Sequence, residues 1–391
     1  MSKYLFYLSV PLMLTTTTTA VFAQKTPAEQ IKWSVAAQLQ TPDGQTSIGF
    51  AGAMNAVLQN RLIVAGGANF PDKKPWEGGK KHYSNEIHIL EKKGNAFSWS
   101  KEKAFLPEAI AYCGNTSTKF GIVYAGGEND KGLSKQVFLL TWDELKHNIQ
   151  AKPLASLPIA LTNVALTNIG NLVYAIGGDQ EKSTSNAVFS LDLSLPAATW
   201  KVLPELPIPL ANSVVVVQSP EKQALIYVIG GRTKTPVGIS DLHATVFIYH
   251  PEKQEWKEGA AISDGIKVTN FSAGTGVAFG KNQILIFGGD NGKTFHQIET
   301  YISRIAKTAD PEEKARLTAE KNQLNIHHKG FYKSILRYDV QRNTWSKSGE
   351  LPFLAQVTAM ATKWNNDIII SSGEVKPGVR TPNIMLGKIK D

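Results

Sequence analysis

The stretch Leu62-Ile63-Val64-Ala65-Gly66-Gly67 is an apolar strand closed by a glycine pair, and it decides the fold because it recurs. Its counterparts are IVYAGG at 122–127, LVYAIGG at 172–178, IYVIGG at 226–231, ILIFGG at 284–289 and, degenerately, IIISSG at 368–373. The last glycines of successive units lie 60, 51, 53, 58 and 84 residues apart. Self-similarity at roughly 50 residues, carried by short strands, is the mark of a β-propeller in which each unit is one blade. Glycine takes backbone angles closed to other residues and lets chains approach closely, so a pair at a strand end suits a crowded bend near the propeller axis. Six such ends predict an all-β, six-bladed propeller.

Outward from each pair the chain enters a polar loop and then an alternating strand, such as NAVFSLDL at 186–193 or SILRYDV at 334–340. Most units continue into a tryptophan strand and a Leu-Pro or equivalent turn. The tryptophans are Trp99, Trp200, Trp256 and Trp345, and the turns include Leu106-Pro107, Leu157-Pro158, Leu206-Pro207 and Leu351-Pro352. The second unit departs from this pattern, with Trp142 out of register and no tryptophan before Leu157. The sixth stops after Asn383-Ile384-Met385-Leu386-Gly387 without a tryptophan strand; that strand stands at the other terminus as Ile31-Lys32-Trp33-Ser34-Val35, followed by Leu39-Gln40-Thr41-Pro42. The N-terminal strand is therefore expected to complete the last blade and remove an exposed sheet edge. The repeat is of the kelch type. Its one long spacing predicts a helical insertion in the fifth blade at about 296–325, with Asp310-Pro311-Glu312-Glu313 as a helix start, read as a lid or a partner surface.

Residues 1–23 carry Lys3, an apolar run from Tyr4 to Leu14 too short to span a bilayer, and the exit Val21-Phe22-Ala23. This is a signal-peptide layout, so residues 24–391 are expected as an exported, periplasmic propeller with no membrane insertion. Loss of Lys3 lowers the net charge of +9 by one. No Lys/Arg run is interleaved with aromatics, which argues against a nucleic-acid partner. Cys113 is the only cysteine, so no internal disulfide forms and stability must come from packing and closure. The neighbouring pair Tyr112-Cys113 reads as core.

Because the chain reverses at each strand of a four-stranded blade, every segment after a glycine pair emerges at one mouth of the central channel. Polar groups from several blades can converge there on one ligand. The sixth of these segments is chemically the richest: Glu374, Lys376 and Arg380 lie within seven residues, on a turn stiffened by Pro377-Gly378. The pattern suits a base, Glu374, beside an anion clamp in which Arg380 grips a carboxylate bidentately. The first segment, Asn69-Phe70 and then Trp76 to Ser84, offers amide, aromatic and ammonium groups; Asn69, Lys81 and Tyr83 suit a hydroxylated anionic ligand. Arg232, after the fourth pair, is a further cation at the mouth.

At these two loops the sequence resembles the bacterial sialic acid mutarotases, N-acetylneuraminate epimerases built on kelch repeats. The resemblance rests on SGEVKPGVRT at 372–381, matching G-E-x-K-P-G-x-R-T, and on AGGANF at 65–70 with GKKHYSNEIHI at 79–89, and extends through the blades over essentially the whole mature chain. In better-known members the Glu/Arg segment lies mid-chain, whereas here it closes the chain, as in a cyclically permuted branch. A ring is unchanged by moving its termini, so the mouth should survive the permutation. The resemblance implies interconversion of the α- and β-anomers of N-acetylneuraminate, with Glu374 as proton acceptor and Arg380 as its essential partner.

Such a reaction needs a base for the anomeric hydroxyl, an acid for the ring oxygen, and a site that holds the open ketone. Arg380 would bind the substrate carboxylate, with Lys376 or Arg232 sharing that load. No metal or cofactor is expected; the partner is a small anionic sugar and the protein a monomer or homodimer. The alternative reading is a non-catalytic kelch propeller that binds sialylated or other acidic glycans. A sialidase is disfavoured because no S-x-D-x-G-x-x-W box occurs, and a copper radical oxidase because Tyr112-Cys113 stands alone.

Overall fold

Each strand that ends in a glycine pair is the second of four in an antiparallel sheet, and the innermost strands of six such sheets neighbour one another in a closed circle. In the computed structural model, which describes residues 31–389, blade 1 comprises Met54–Leu58, Arg61–Ala65, Glu86–Lys93 and Ala96–Trp99. Blades 2 to 5 begin with Gly114–Thr118, Ala165–Ile169, Val214–Gln218 and Thr275–Phe279. Blade 6 is Ala361–Trp364, Asp367–Ser371 and Asn383–Ile389, closed by Ile31–Gln38 as its outermost strand. That last pairing sets Trp33 opposite Gly387. The expected signal peptide at 1–23 lies outside the described residues. No helix among the described residues is long and apolar enough to cross a membrane.

The glycine pairs are the joints between blades. Gly66 and Gly67 have φ of 65° and 97°; the Gly67 N–H donates to the Ile110 carbonyl of the next blade at 2.8 Å. A Cβ on Gly66 would come within 2.5 Å of that carbonyl oxygen, so both the dihedral and the contact require glycine. The same joint recurs at Gly127 with Leu161, Gly178 with Leu210 and Gly231 with Phe271. In the degenerate sixth pair Ser372 takes φ of 55°, and its hydroxyl donates to the carbonyl of Phe50 and accepts from the Phe50 N–H. The backbone joint persists here too, from the Gly373 N–H to the Phe50 carbonyl at 2.8 Å, and the serine hydroxyl adds to it.

The outer tryptophans staple each blade to the one before it. The indole N–H groups of Trp99, Trp200, Trp256 and Trp345 donate to the carbonyls of Gln38, Ala155, Pro204 and Ala260, at 2.8–2.9 Å. Trp33 packs edge-on against Phe287 and Phe353 of blade 5. In blade 2 the staple is replaced: Trp142 lies on the third strand, and the Arg61 guanidinium of blade 1 stacks 3.9 Å from its ring centre. Leu39, Leu106, Leu157, Leu206, Ile262 and Leu351, at the turns after the outer strands, are each at most 2 % exposed. Burying one such side chain is worth about 2–3 kcal/mol.

A second hydrogen-bonded circle runs around the axis. The N–H of Gly52 donates to Thr358, Thr358 to Ala273, Ala273 to Asn212, Asn212 to Asn163, Asn163 to Tyr112, and Tyr112 back to Gly52. All six residues have φ between 49° and 63°, and only one of them is glycine. The left-handed conformation costs roughly 1–2 kcal/mol for each of the others. It persists because each blade fixes its neighbour.

The insertion between the second and third strands of blade 5 is longer than expected, with helices α1 (Lys293–Lys307) and α2 (Pro311–Ile326). The sequence start at His296 was late because Lys293-Thr294-Phe295 follow a left-handed Gly292 and no side-chain cap marks the onset. Asp310 does cap α2, accepting the Glu312 N–H at 2.9 Å.

Candidate functional site

The residue after each glycine pair forms a bridge with the residue just before the axial circle: Ala51 with Ala68, Ala111 with Glu128, Thr162 with Asp179, Ala211 with Arg232, Ser272 with Asp290 and Val357 with Glu374. Ala68, Glu128, Asp179, Arg232, Asp290 and Glu374 are thus equivalent positions, one per blade, around one mouth. A cavity of about 610 Å³ opens there. Its floor includes Tyr112, Asn163, Asn212, Ala273 and Thr358 of the axial circle; Glu128, Arg232, Asp290 and Glu374 stand on its wall.

Glu374 begins a short strand that returns at Arg380 through a Pro377-Gly378 turn, with Gly378 at φ 73°. The Gly378 N–H donates to Glu374 Oε1, and Arg380 Nη1 lies 3.2 Å from the same oxygen. Burial pushes the Glu374 carboxyl above its usual range, against the pull of Arg380, the Gly378 N–H and Lys81. The Arg380 side chain is 5 % exposed, its guanidinium stacked 4.6 Å from the Phe70 ring centre, and it does not line the cavity. It stands beside the carboxylate as its ion-pair partner, with Nη1 buried and making no hydrogen bond among the described residues. A Cβ on Gly378 would strike Pro75 at 2.8 Å, so the two sequence loops that carry the resemblance, some three hundred residues apart, meet at this point.

The other expected residues divide. Lys81 reaches the cavity, 3.1 Å from Glu128 and between the rings of Tyr83 and Tyr112. Tyr83 stands behind it, donating to Glu128 at 2.8 Å; burial, then that hydrogen bond, pushes its phenol up. Arg232 lines the cavity but grips Asp179 through both terminal nitrogens, the shorter contact being 2.6 Å, and Lys234 approaches the same buried carboxylate. Asn69 is buried with its amide nitrogen on the Gly49 carbonyl, and Lys376 sits in the field of His328; neither lines the cavity.

Tyr112 corrects the sequence reading. Cys113 is core, but Tyr112 lies on the cavity floor, its hydroxyl among Arg380, Glu374 and Glu128, and burial raises its pKa to about 12. Its ring covers Gly52, where a Cβ would fall 2.4 Å from it. Glu128 and Asp290 head two of the segments expected at the mouth, and both line its cavity. The column immediately after the glycine pairs, charged in every blade but the first, was the signal for both.

The insertion supplies the far wall. Phe295, Ile298 and Glu299 of α1 line the cavity, together with His328 and Phe331 just beyond α2. Glu299 accepts both the N–H and the hydroxyl of Ser240 in blade 4, at 2.7 and 2.8 Å, and Asn322 reaches the Trp76 carbonyl of the first loop.

With the buried Glu374–Arg380 pair in this mouth, the comparison with known proteins is decisive: the family model described as N-acetylneuraminate epimerase matches residues 13–149 and 154–391. The chain belongs to the N-acetylneuraminate epimerase family. Curated relatives of that name include proteins from Brucella melitensis, 29 % identical over 238 residues, and Haemophilus influenzae, 28 % identical over 244. A third, from Salmonella typhimurium, is 26 % identical over 239 residues. These alignments cover 60, 62 and 59 % of this chain, and 58, 60 and 57 % of the relatives' own lengths. The matched region of this N-acetylneuraminate epimerase family member includes the Glu374-to-Arg380 segment of its sixth blade.

Proposed function

We propose that this protein is an isomerase that interconverts the α- and β-anomers of N-acetylneuraminate by opening and reclosing the sugar ring. The observation that carries the reading is Glu374: a carboxylate buried on the wall of the mouth cavity, raised in pKa by that burial, and held by Arg380 and the Gly378 N–H. A module that only bound acidic glycans would gain nothing from a desolvated carboxylate facing its anionic ligand. As a base, Glu374 removes the proton of the anomeric hydroxyl while the ring carbon–oxygen bond breaks. Arg380 keeps the carboxylate aligned and tempers the rise in its pKa.

The substrate carboxylate meets the cationic side of the cavity, where Lys81, Lys182, Arg232 and Lys234 line the wall. Arg232 and Lys234 together exceed the single charge of Asp179, so that side stays net positive. Tyr112, still protonated near neutrality, is a hydrogen-bond donor on the floor. Export to the periplasm belongs to the same proposal and rests on the layout of residues 1–23. The test is anomer exchange of N-acetylneuraminate by saturation-transfer NMR, with Glu374→Gln as the control that keeps the shape and removes the base.

A further inference from the structure

A base alone does not open a hemiketal: as the anomeric hydroxyl loses its proton, the ring oxygen must gain one. The six equivalent positions of the mouth supply the candidates. Glu128 is engaged by Lys81 and Tyr83, and Asp179 is 1 % exposed beneath Arg232 and Lys234. Asp290 differs from both. No lysine or arginine among the described residues pairs with it, and its Oδ1 accepts the N–H of Gly292, two residues on in the same loop, at 2.7 Å. It lines the same cavity as Glu374, one blade away and at the same level, since Ser272–Asp290 and Val357–Glu374 are equivalent bridges.

We propose that Asp290 is the proton donor to the sugar ring oxygen, acting from the blade next to that of Glu374. The inference rests on the anomer-interconverting reading above. In the opening step Glu374 takes the hydroxyl proton, the bond from the anomeric carbon to the ring oxygen breaks, and that oxygen takes the proton of Asp290. The product is an open ketone with Glu374 protonated and Asp290 ionised. After rotation the new hydroxyl forms on the other face, Glu374 returns its proton to the former carbonyl oxygen, and Asp290 recovers its own from the closing hydroxyl. No other reactant is consumed.

The surroundings favour the neutral form of this carboxyl more than open solvent would. Burial raises the Asp290 pKa, opposed by the Gly292 N–H and by His328 and His296. Burial also lowers the pKa of His328, opposed by Asp290 and reinforced by Lys376, which weakens the counter-charge this imidazole can offer Asp290. His296 on α1, His328 beyond α2, and Lys376 behind His328 are the titratable groups that face it.

The experiment measures anomer exchange by NMR across pH for the wild type, Asp290→Asn, Asp290→Glu and Glu374→Gln. Asparagine retains the oxygen that accepts from Gly292, so the loop is preserved. The expected result is a kcat lower by about a hundred-fold or more in Asp290→Asn, with KM little changed and the alkaline limb of the wild-type profile gone. Partial recovery in Asp290→Glu is expected too. Wild-type kcat and an unaltered pH profile in Asp290→Asn, alongside an inactive Glu374→Gln, would overturn the role of Asp290 while leaving the enzyme reading standing. A wild-type protein whose own profile lacks an alkaline limb would overturn it without recourse to any variant. A wild type that does not exceed the spontaneous rate would overturn both.

Discussion

At the scale of single residues, the site is a set of charges whose partners decide their use. Arg380 and Arg232 look alike in the sequence as cations at a mouth, yet one holds Glu374 and the other holds Asp179. Under the proposed function, substituting Arg380 therefore acts on the base. Glu374 must be ionised to accept a proton, and removing an adjacent cation raises a carboxyl pKa further, so the acid limb of activity should move to higher pH. For Arg380→Met, the loss of activity is expected to be greater at pH 6 than at pH 8, read from kcat/KM profiles. An acid limb unchanged from the wild type would remove Arg380 from the tuning of Glu374. These pairings were hidden in the sequence because they cross blades: Arg232 and Asp179 are 53 residues apart, and no local pattern links them.

At the scale of elements, the outermost strand of blade 6 and the insertion of blade 5 carry the consequences. Trp33 fills the seam between blades 5 and 6 against Phe287 and Phe353, and its ring lies where a Cβ on Gly387 would stand, at 2.9 Å. Trp33→Ala should lower stability by about 3 kcal/mol, measured by denaturant unfolding, through loss of an aromatic at a packed seam. The insertion is tied down chiefly by Glu299 on Ser240, two hydrogen bonds to one carboxylate. Each is worth about 1.5–3 kcal/mol when the acceptor is charged. Glu299→Ala should raise KM several-fold with kcat nearly unchanged, and should hasten proteolysis within 293–326; equal proteolysis rates would show that α1 is held by its apolar contacts instead. The strand order was legible because five blades repeat the glycine pair and the sixth a Ser-Gly variant of it, and the closure because the Trp33 strand was the one missing from the sixth. The helix onset at Lys293 was not, since no capping side chain announces it.

At the scale of the whole molecule, a closed ring of blades explains why a chain with one cysteine needs no disulfide, and why its chemistry gathers at one face. The glycine joints hold neighbours together outside, and the axial circle of left-handed residues holds them inside. That circle left no trace in the sequence, because Gly52, Tyr112, Asn163, Asn212, Ala273 and Thr358 share a backbone conformation and no side-chain type. Tyr112 was taken for core for the same reason. Glu374 was visible because its segment is dense in chemistry, whereas its pairing with the loop of Pro75 and Phe70 depended on the ring closing. The central claim is that this mouth opens and recloses a sugar acid ring with Glu374 as base. The most direct test is saturation-transfer NMR on equilibrated N-acetylneuraminate, reading exchange between the α and β signals with and without protein. The account predicts exchange well above the spontaneous rate with the wild type and none above it with a folded Glu374→Gln; equal exchange from the two proteins, or none above background from the wild type, would contradict it.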